Sequence, residues 1–148
     1  KLLIMAKNAQ NYEDRPWGNF TVLSELSDQG GSKDVIIKRL EVHPGKRLSY
    51  QQHKLRAEHW YTISGHGIAV INDEEIPLSP GESVEIAIND KHRIDNRAGT
   101  EPLIIIETLT GEFDEFDNER LEDDFARDSN WRNNPAWNFA LLWYNKST

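Results

Sequence analysis

From residue 35 onward the chain breaks into short apolar runs that alternate with polar positions. VIIKRLEV, LSYQQH, HWYTIS, GIAVIN, SVEIAI, HRIDN and PLIIIETL are rich in β-branched and aromatic residues, and Gly, Pro, Asn or Asp stands between most of them. Side chains two apart on a strand share a face, so this alternation predicts strands. NFTVLSEL reads as a further strand, entered through RPWG at 15–18, a turn that carries Trp17 as a buried anchor. The Gly-Gly pair in DQGGSKD, 28–34, predicts a hairpin loop; no helical pattern follows it that would make it a phosphate cradle. No 3.6-residue apolar period occurs before about residue 115, which excludes a βαβ architecture. Seven or more short strands predict an all-β sandwich or small barrel.

The same alternation assigns faces. Ile36, Lys38, Leu40 and Val42 share one, so Lys38 interrupts an apolar stripe. Ser49, Gln51 and His53 share a second, Glu58, Trp60 and Thr62 a third, and His92, Ile94 and Asn96 a fourth. If these faces look into one barrel, Gln51, His53, Glu58 and His92 converge near its mouth. Two imidazoles, a carboxylate and an amide oxygen make a mixed N/O set for a divalent metal. Zinc is the first choice, with manganese, iron, cobalt and nickel also compatible. The competing reading is a metal-free, hydrogen-bonded barrel interior. His43 and His66 sit at turns and His59 faces away from Glu58, so these three stand outside the set.

From residue 112 the pattern changes. EFDEFDNERLEDDFARD mixes acids with Phe113, Phe116, Leu121 and Phe125 and predicts a short helix on the outside of the barrel. A tail follows with Trp131, Trp137, Trp143 and Tyr144, aromatic enough to dock on the barrel or on a second subunit. The expected division is an N-terminal extension at 1–14, a barrel domain at 15–127 and an aromatic tail at 128–148. Residues 1–4 read as extraneous, with Met5 as the natural start.

Composition narrows the function classes. At 148 residues, 37% hydrophobic and 28% charged, the chain suits one soluble domain with a real core. Cysteine is absent, which excludes disulfides, thiolate catalysis and cysteine-zinc sites. No apolar run approaches the roughly 20 residues of a membrane span, and KLLIMA is too short for a signal peptide. A cytoplasmic enzyme is the expectation. The net charge of −8 argues against nucleic acid as a partner. Nine acids against Arg120 and Arg127 place −7 of it between residues 112 and 128. The remainder is nearly neutral, so an anionic substrate is not repelled from a pocket lined by the central basic residues.

Gly45, Gln51-x-His53, Glu58 and Gly65 keep the spacing of the first cupin motif, with Gln in place of its first His. The second motif begins at Gly81 and reaches His92 and Asn96, although Ala87 and Asn89 replace its usual Pro and Gly. RPWG, the block from VIIKRLEV through EHWYTISG, HRIDN and IIIETLTGEFDEFDNERLEDDFAR together resemble the type II phosphomannose isomerase family over about residues 12–127. In many members this cupin follows a mannose-1-phosphate guanylyltransferase domain, for which this chain has no room. The chain departs at Thr108-Leu109-Thr110-Gly111 and Glu115-Phe116-Asp117, which bears on substrate identity.

The resemblance implies a double-stranded β-helix, or jelly-roll barrel, and a metal-dependent aldose–ketose isomerase interconverting mannose 6-phosphate and fructose 6-phosphate through an enediol(ate). The alternative is a non-catalytic cupin binding a sugar phosphate or sugar nucleotide in polysaccharide biosynthesis; a cupin oxygenase fits less well because Gln51 replaces His. Lys38 is the preferred base for the C1/C2 proton, the alternative being a snorkelling or ion-paired lysine. Glu107 is the second candidate, with a salt bridge to Lys38 or an arginine as its ordinary reading. Arg15, Arg47, Arg56 and Arg93 are candidates for the phosphate, Arg93 last because it points opposite His92. Ser49, on the ligand face, is a further substrate contact. A homodimer is expected, since cupins commonly pair through sheet faces.

Overall fold

The computed structural model describes residues 11–27, 34–112 and 117–127. Eleven strands are present among them: β1 (Tyr12–Arg15), β2 (Gly18–Ser27), β3 (Asp34–Val42), β4 (Tyr50–Gln52), β5 (Arg56–Ser64), β6 (Gly67–Ile71), β7 (Glu74–Leu78), β8 (Ser83–Ile86), β9 (His92–Asp95), β10 (Leu103–Gly111) and β11 (Glu119–Glu122). They form two antiparallel sheets, one in the order β1-β2-β3-β10-β5-β8 and the other β11-β4-β9-β6-β7. This is the all-β class that the alternation predicts, in the cupin-like jelly-roll form that the resemblance implies. Among the described residues, no helix is long and apolar enough to cross a membrane.

The alternating runs explain the core. Leu40 and Val42 of β3, Trp60 of β5, Ile94 of β9, and Leu103 and Ile105 of β10 turn inward and pack as one cluster with Trp17, Leu48, Ala69, Leu78 and Ile86. Trp17 reaches it from the tight turn between β1 and β2, where Arg15 pairs with Gly18. The Trp17 carbonyl accepts a hydrogen bond from the His43 amide at 3.0 Å, tying that turn to the end of β3. The predicted loop at 28–33 lies outside the described residues, but Ser27 pairs with Asp34, so β2 and β3 form a hairpin.

Three strands escape the alternation rule. β7 reads EEIPL and is mostly exposed; it runs at the edge of its sheet, where Pro77 costs no ladder bond. The signal for it lay in the turn, because Asn72 and Asp73 both adopt positive φ (49° and 69°), as a two-residue hairpin connection requires. β1 is a four-residue strand at the opposite edge of the other sheet.

β11 overturns the helix predicted from the acidic stretch. Over residues 117–127 the chain is strand and turn, with Glu119 and Arg120 paired to Gln52 and Gln51 of β4. The Asp117 carboxylate accepts the backbone N–H groups of Lys54 and Leu55, each at 2.8 Å. Asp and Asn are poor helix formers, and an unpaired β4 edge outweighs their local preference. Residues 113–116 and the aromatic tail at 128–148 lie outside the described residues.

Candidate metal centre and cavity

The two sheets bring the first candidates together. Gln51 on β4 pairs in register with His92 on β9, and His53 follows β4 directly. Glu58 projects from β5 of the facing sheet. Its Oε1 lies 2.9 Å from His53 Nε2 and its Oε2 lies 3.6 Å from His92 Nε2. The ligand atoms of His53, Glu58 and His92 all fall within 4.8 Å of one another, and all three residues are buried. Gln51 is half-buried and lines the adjoining cavity, its Oε1 accepting from Ser49 Oγ at 3.2 Å.

Hydrogen bonding fixes how the imidazoles face. His53 Nδ1 lies 3.1 Å from the Asp117 carbonyl, and His92 Nδ1 lies 2.8 Å from the Asp90 carbonyl. A carbonyl only accepts, so each Nδ1 carries the proton and each Nε2 turns toward Glu58. Arg56 Nη2 donates to His53 Nε2 at 3.3 Å, whereas His92 Nε2 is buried with no hydrogen-bond partner among the described residues. Lone pairs aimed at a carboxylate repel unless a proton or a cation lies between them. The donor set therefore fits a divalent metal, with backbone carbonyls orienting both histidines from behind.

Without a cation the group settles its charge internally. Burial pushes the Glu58 carboxyl up, but the two imidazoles that face it outweigh that and hold it well below the usual range. Burial likewise disfavours a charged His92, yet Glu58 raises it above its ordinary value.

A second carboxylate lies next to the first. Trp60 Nε1 donates to Glu58 Oε2 at 3.0 Å and to Glu107 Oε1 at 3.3 Å. Glu107, on β10, is pushed up to about 7 by burial and by the Glu58 charge, with Lys38 opposing. Lys38 lies directly across the β3–β10 ladder from Glu107. Its Nζ is 4.8 Å from the Phe20 ring centroid, and its side chain lines the cavity with Glu58 and Glu107.

That cavity, of about 120 Å³, opens beside the metal set. Trp17, Phe20, Leu40, Leu48 and Leu109 form its apolar wall, and Ser49, Gln51, Arg15 and Arg56 also reach it. Arg56 stays close to the metal set, its Nε 3.8 Å from Glu58 Oε1. Arg47 does not line the cavity. Its guanidinium makes two 2.7 Å bonds to Asp124 and approaches Asp95. Arg93 is likewise directed elsewhere, stacked 5.4 Å from the Tyr50 centroid and bonded to Glu122 at 3.2 Å. Alternation put it opposite His92, and there it lies.

Three polar cavity residues were not foreseen: Asn118, Arg120 and Arg127. All belong to the stretch read as an external helix, which gave no reason to place them inside. The departure of Asp and Asn from good helix formers was the available signal.

The match to the mannose-6-phosphate isomerase C-terminal family model spans residues 5–123. The alginate biosynthesis protein AlgA of Pseudomonas aeruginosa is 41% identical over 114 residues, covering 76% of this chain and 22% of that protein. The mannose-1-phosphate guanylyltransferase ManC of Salmonella typhimurium is 38% identical over 114 residues, covering 76% and 22%. The chain thus spans about a fifth of the length of the curated relatives it matches. Among solved structures, the capsular polysaccharide assembling protein CapF of Staphylococcus aureus superposes with a TM-score of 0.63 at 23% identity, over 76% of this chain and 32% of that one. The Streptomyces protein PAC13, solved with uridine, gives 0.60 at 17%, over 78% and 88%. At these identities the structural likeness concerns the fold alone.

Proposed function

Because the chain belongs to the mannose-6-phosphate isomerase C-terminal family, we propose that it is a metal-dependent aldose–ketose isomerase interconverting mannose 6-phosphate and fructose 6-phosphate. One observation carries the reading. Glu58, which closes the set with His53 and His92, lines the same cavity as Gln51, Lys38 and Glu107, which supports a site where metal ligands and proton-transfer groups meet.

Isomerisation moves a proton between C1 and C2 while the carbonyl and hydroxyl exchange. His53, Glu58 and His92 would hold the metal, with Gln51 as the fourth ligand, and zinc is the first candidate. Bound there, it would supply Lewis-acid stabilisation of the charge that develops on the sugar oxygens. Glu107 carries the proton between the two carbons. It is buried beside the ligand set, and its carboxyl shares a donor with Glu58. Lys38, opposite Glu107 on the ladder, favours its charged form and offers an N–H donor to the sugar oxygens. Ser49 fixes the Gln51 amide. The apolar wall keeps water from the enediol(ate).

A coupled assay with mannose 6-phosphate on the metal-loaded chain tests the proposal, and absence of turnover sinks it. Ligand-induced thermal stabilisation without turnover would select a non-catalytic sugar-phosphate-binding cupin of polysaccharide biosynthesis, a pathway class named for the alginate relative. Elemental analysis tests zinc, and light scattering tests the homodimer.

A further inference from the structure

The part of the cavity built by β1, β11 and the turn beyond it has no role in holding metal. Arg15 comes from the end of β1, Arg120 from β11 and Arg127 from the turn, and all three line the cavity. They lie close enough to repel. Burial lowers Arg15, and against the help of Glu13 both Arg127 and Arg120 lower it further. Arg120 is lowered by burial and then by Arg127. Guanidinium does not give up its proton, so such a cluster is relieved by a counter-anion.

Part of that relief is internal. Arg15 bonds Glu13 at 2.6 Å, and Arg127 holds Asp123 through two bonds at 2.7 and 3.0 Å. Arg120 differs: its Nε is buried without a hydrogen-bond partner among the described residues. Over the whole cavity, five lining side chains are Arg or Lys, and only Glu58 and Glu107 oppose them. In a chain of net charge −8, that local excess of cations selects an anionic ligand. Arg47 and Arg93, matched to Asp95, Asp124 and Glu122, show how the same protein treats arginines that serve structure.

We propose that Arg15, Arg120 and Arg127 form a phosphate-monoester subsite that orients a sugar monophosphate with its opposite end at the metal set. The identity of the sugar rests on the isomerase reading; the anion subsite does not. Phe20 links the two ends, with Arg15 Cζ 5.2 Å and Lys38 Nζ 4.8 Å from its ring centroid. The sum of those distances bounds the separation of the two cations, a span within reach of a hexose carrying a terminal phosphate. Asn118, on the same wall, has a buried Oδ1 without a partner among the described residues and can accept from a sugar hydroxyl.

Calorimetric titration of the metal-loaded full chain with inorganic phosphate, mannose 6-phosphate and mannose tests this. Phosphate and mannose 6-phosphate should compete for one site, and mannose should bind at least about tenfold more weakly than mannose 6-phosphate. Arg120→Gln and Arg127→Gln should each weaken mannose 6-phosphate by at least about tenfold, with Arg97→Gln, outside the cavity, unchanged. If Arg127→Gln fails to fold because Asp123 loses its partner, Arg120→Gln and Arg15→Gln carry the test. Folded variants that bind mannose 6-phosphate as tightly as the parent overturn the subsite. Arginine-dependent binding without turnover removes the isomerase reading and leaves the subsite standing. Turnover with arginine-independent binding does the reverse.

Discussion

Glu58 and Glu107, on neighbouring strands, meet over a single donor. Trp60 Nε1 lies 3.0 Å from one carboxylate and 3.3 Å from the other, and all three side chains are buried. Two buried carboxylates this close disfavour each other's ionisation, and burial with the Glu58 charge lifts Glu107 to about 7.

Trp60→Phe keeps most of the apolar volume but removes the shared N–H. The metal-free protein should lose about 1–3 kcal/mol in urea unfolding, the cost of leaving a buried partner unsatisfied. Adding Glu107→Gln removes one of the facing charges and should recover part of that loss. Equal stability of Trp60→Phe and the parent would show that the donor is dispensable.

His53→Ala and His92→Ala each delete an imidazole from the set that closes on Glu58. Metal content by elemental analysis should fall from near one equivalent to near zero. The affinity loss should exceed the roughly 10–100-fold typical of an outer-shell change. His59→Ala, whose ring faces Glu85 on the outside of β5, should keep its metal.

Asp117 acts on the site from behind. Its carboxylate clamps the Lys54 and Leu55 amides while its carbonyl accepts from His53 Nδ1. Asp117→Ala should weaken metal binding by about tenfold through a misoriented His53. Asp117→Asn, which keeps one acceptor, should fall between. A competitive chelator titration measures both, and unchanged affinity in the alanine variant would rule the clamp out.

Gly18 closes the turn that delivers Trp17. Its φ of +151° suits glycine, and a Cβ there would run into the Glu41 carbonyl oxygen. Gly18→Ala should cost at least about 1–3 kcal/mol of stability, visible as a lower melting temperature.

Asp95 and Asp123 set part of the acid limit. Burial pushes each carboxyl up, but Arg97 and Arg47 outweigh it at Asp95, and Arg127 does so at Asp123, so both titrate below their ordinary value. The unfolded chain then takes up protons at a higher pH than the folded one. Stability from these pairs is complete above the unfolded carboxylate range and disappears as pH falls through the depressed folded values. Melting temperature should hold near neutrality and drop below about pH 4. Asp123→Asn should start lower and fall less steeply; an identical slope would remove Asp123 from the account.

Much of this was legible because a strand's side-chain period is two. The runs around Leu40, Trp60, Ile94 and Ile105 declare their buried faces, and the interval from Gln51 to Glu58 pairs ligands across a turn. The period failed where polarity carried no alternation. β7 lies at an edge with four of its five residues exposed, so nothing in EEIPL marks a face. Arg120 and Arg127 were hidden in an acidic stretch whose local pattern suggested a helix.

Local pattern and spacing by themselves determined the all-β class, the inward faces and the residue types offered to a metal, because those depend on near neighbours in the chain. Tertiary structure decided what long-range pairing alone can set. The Asp90 and Asp117 carbonyls choose the imidazole tautomers, and the β3–β10 register puts Lys38 opposite Glu107. Asp124 takes Arg47 away from the cavity, and β11, pairing with the open edge of β4, brings Arg120 into it. A charge's role depends on which partner reaches it across the fold, and no interval along the chain encodes that distance.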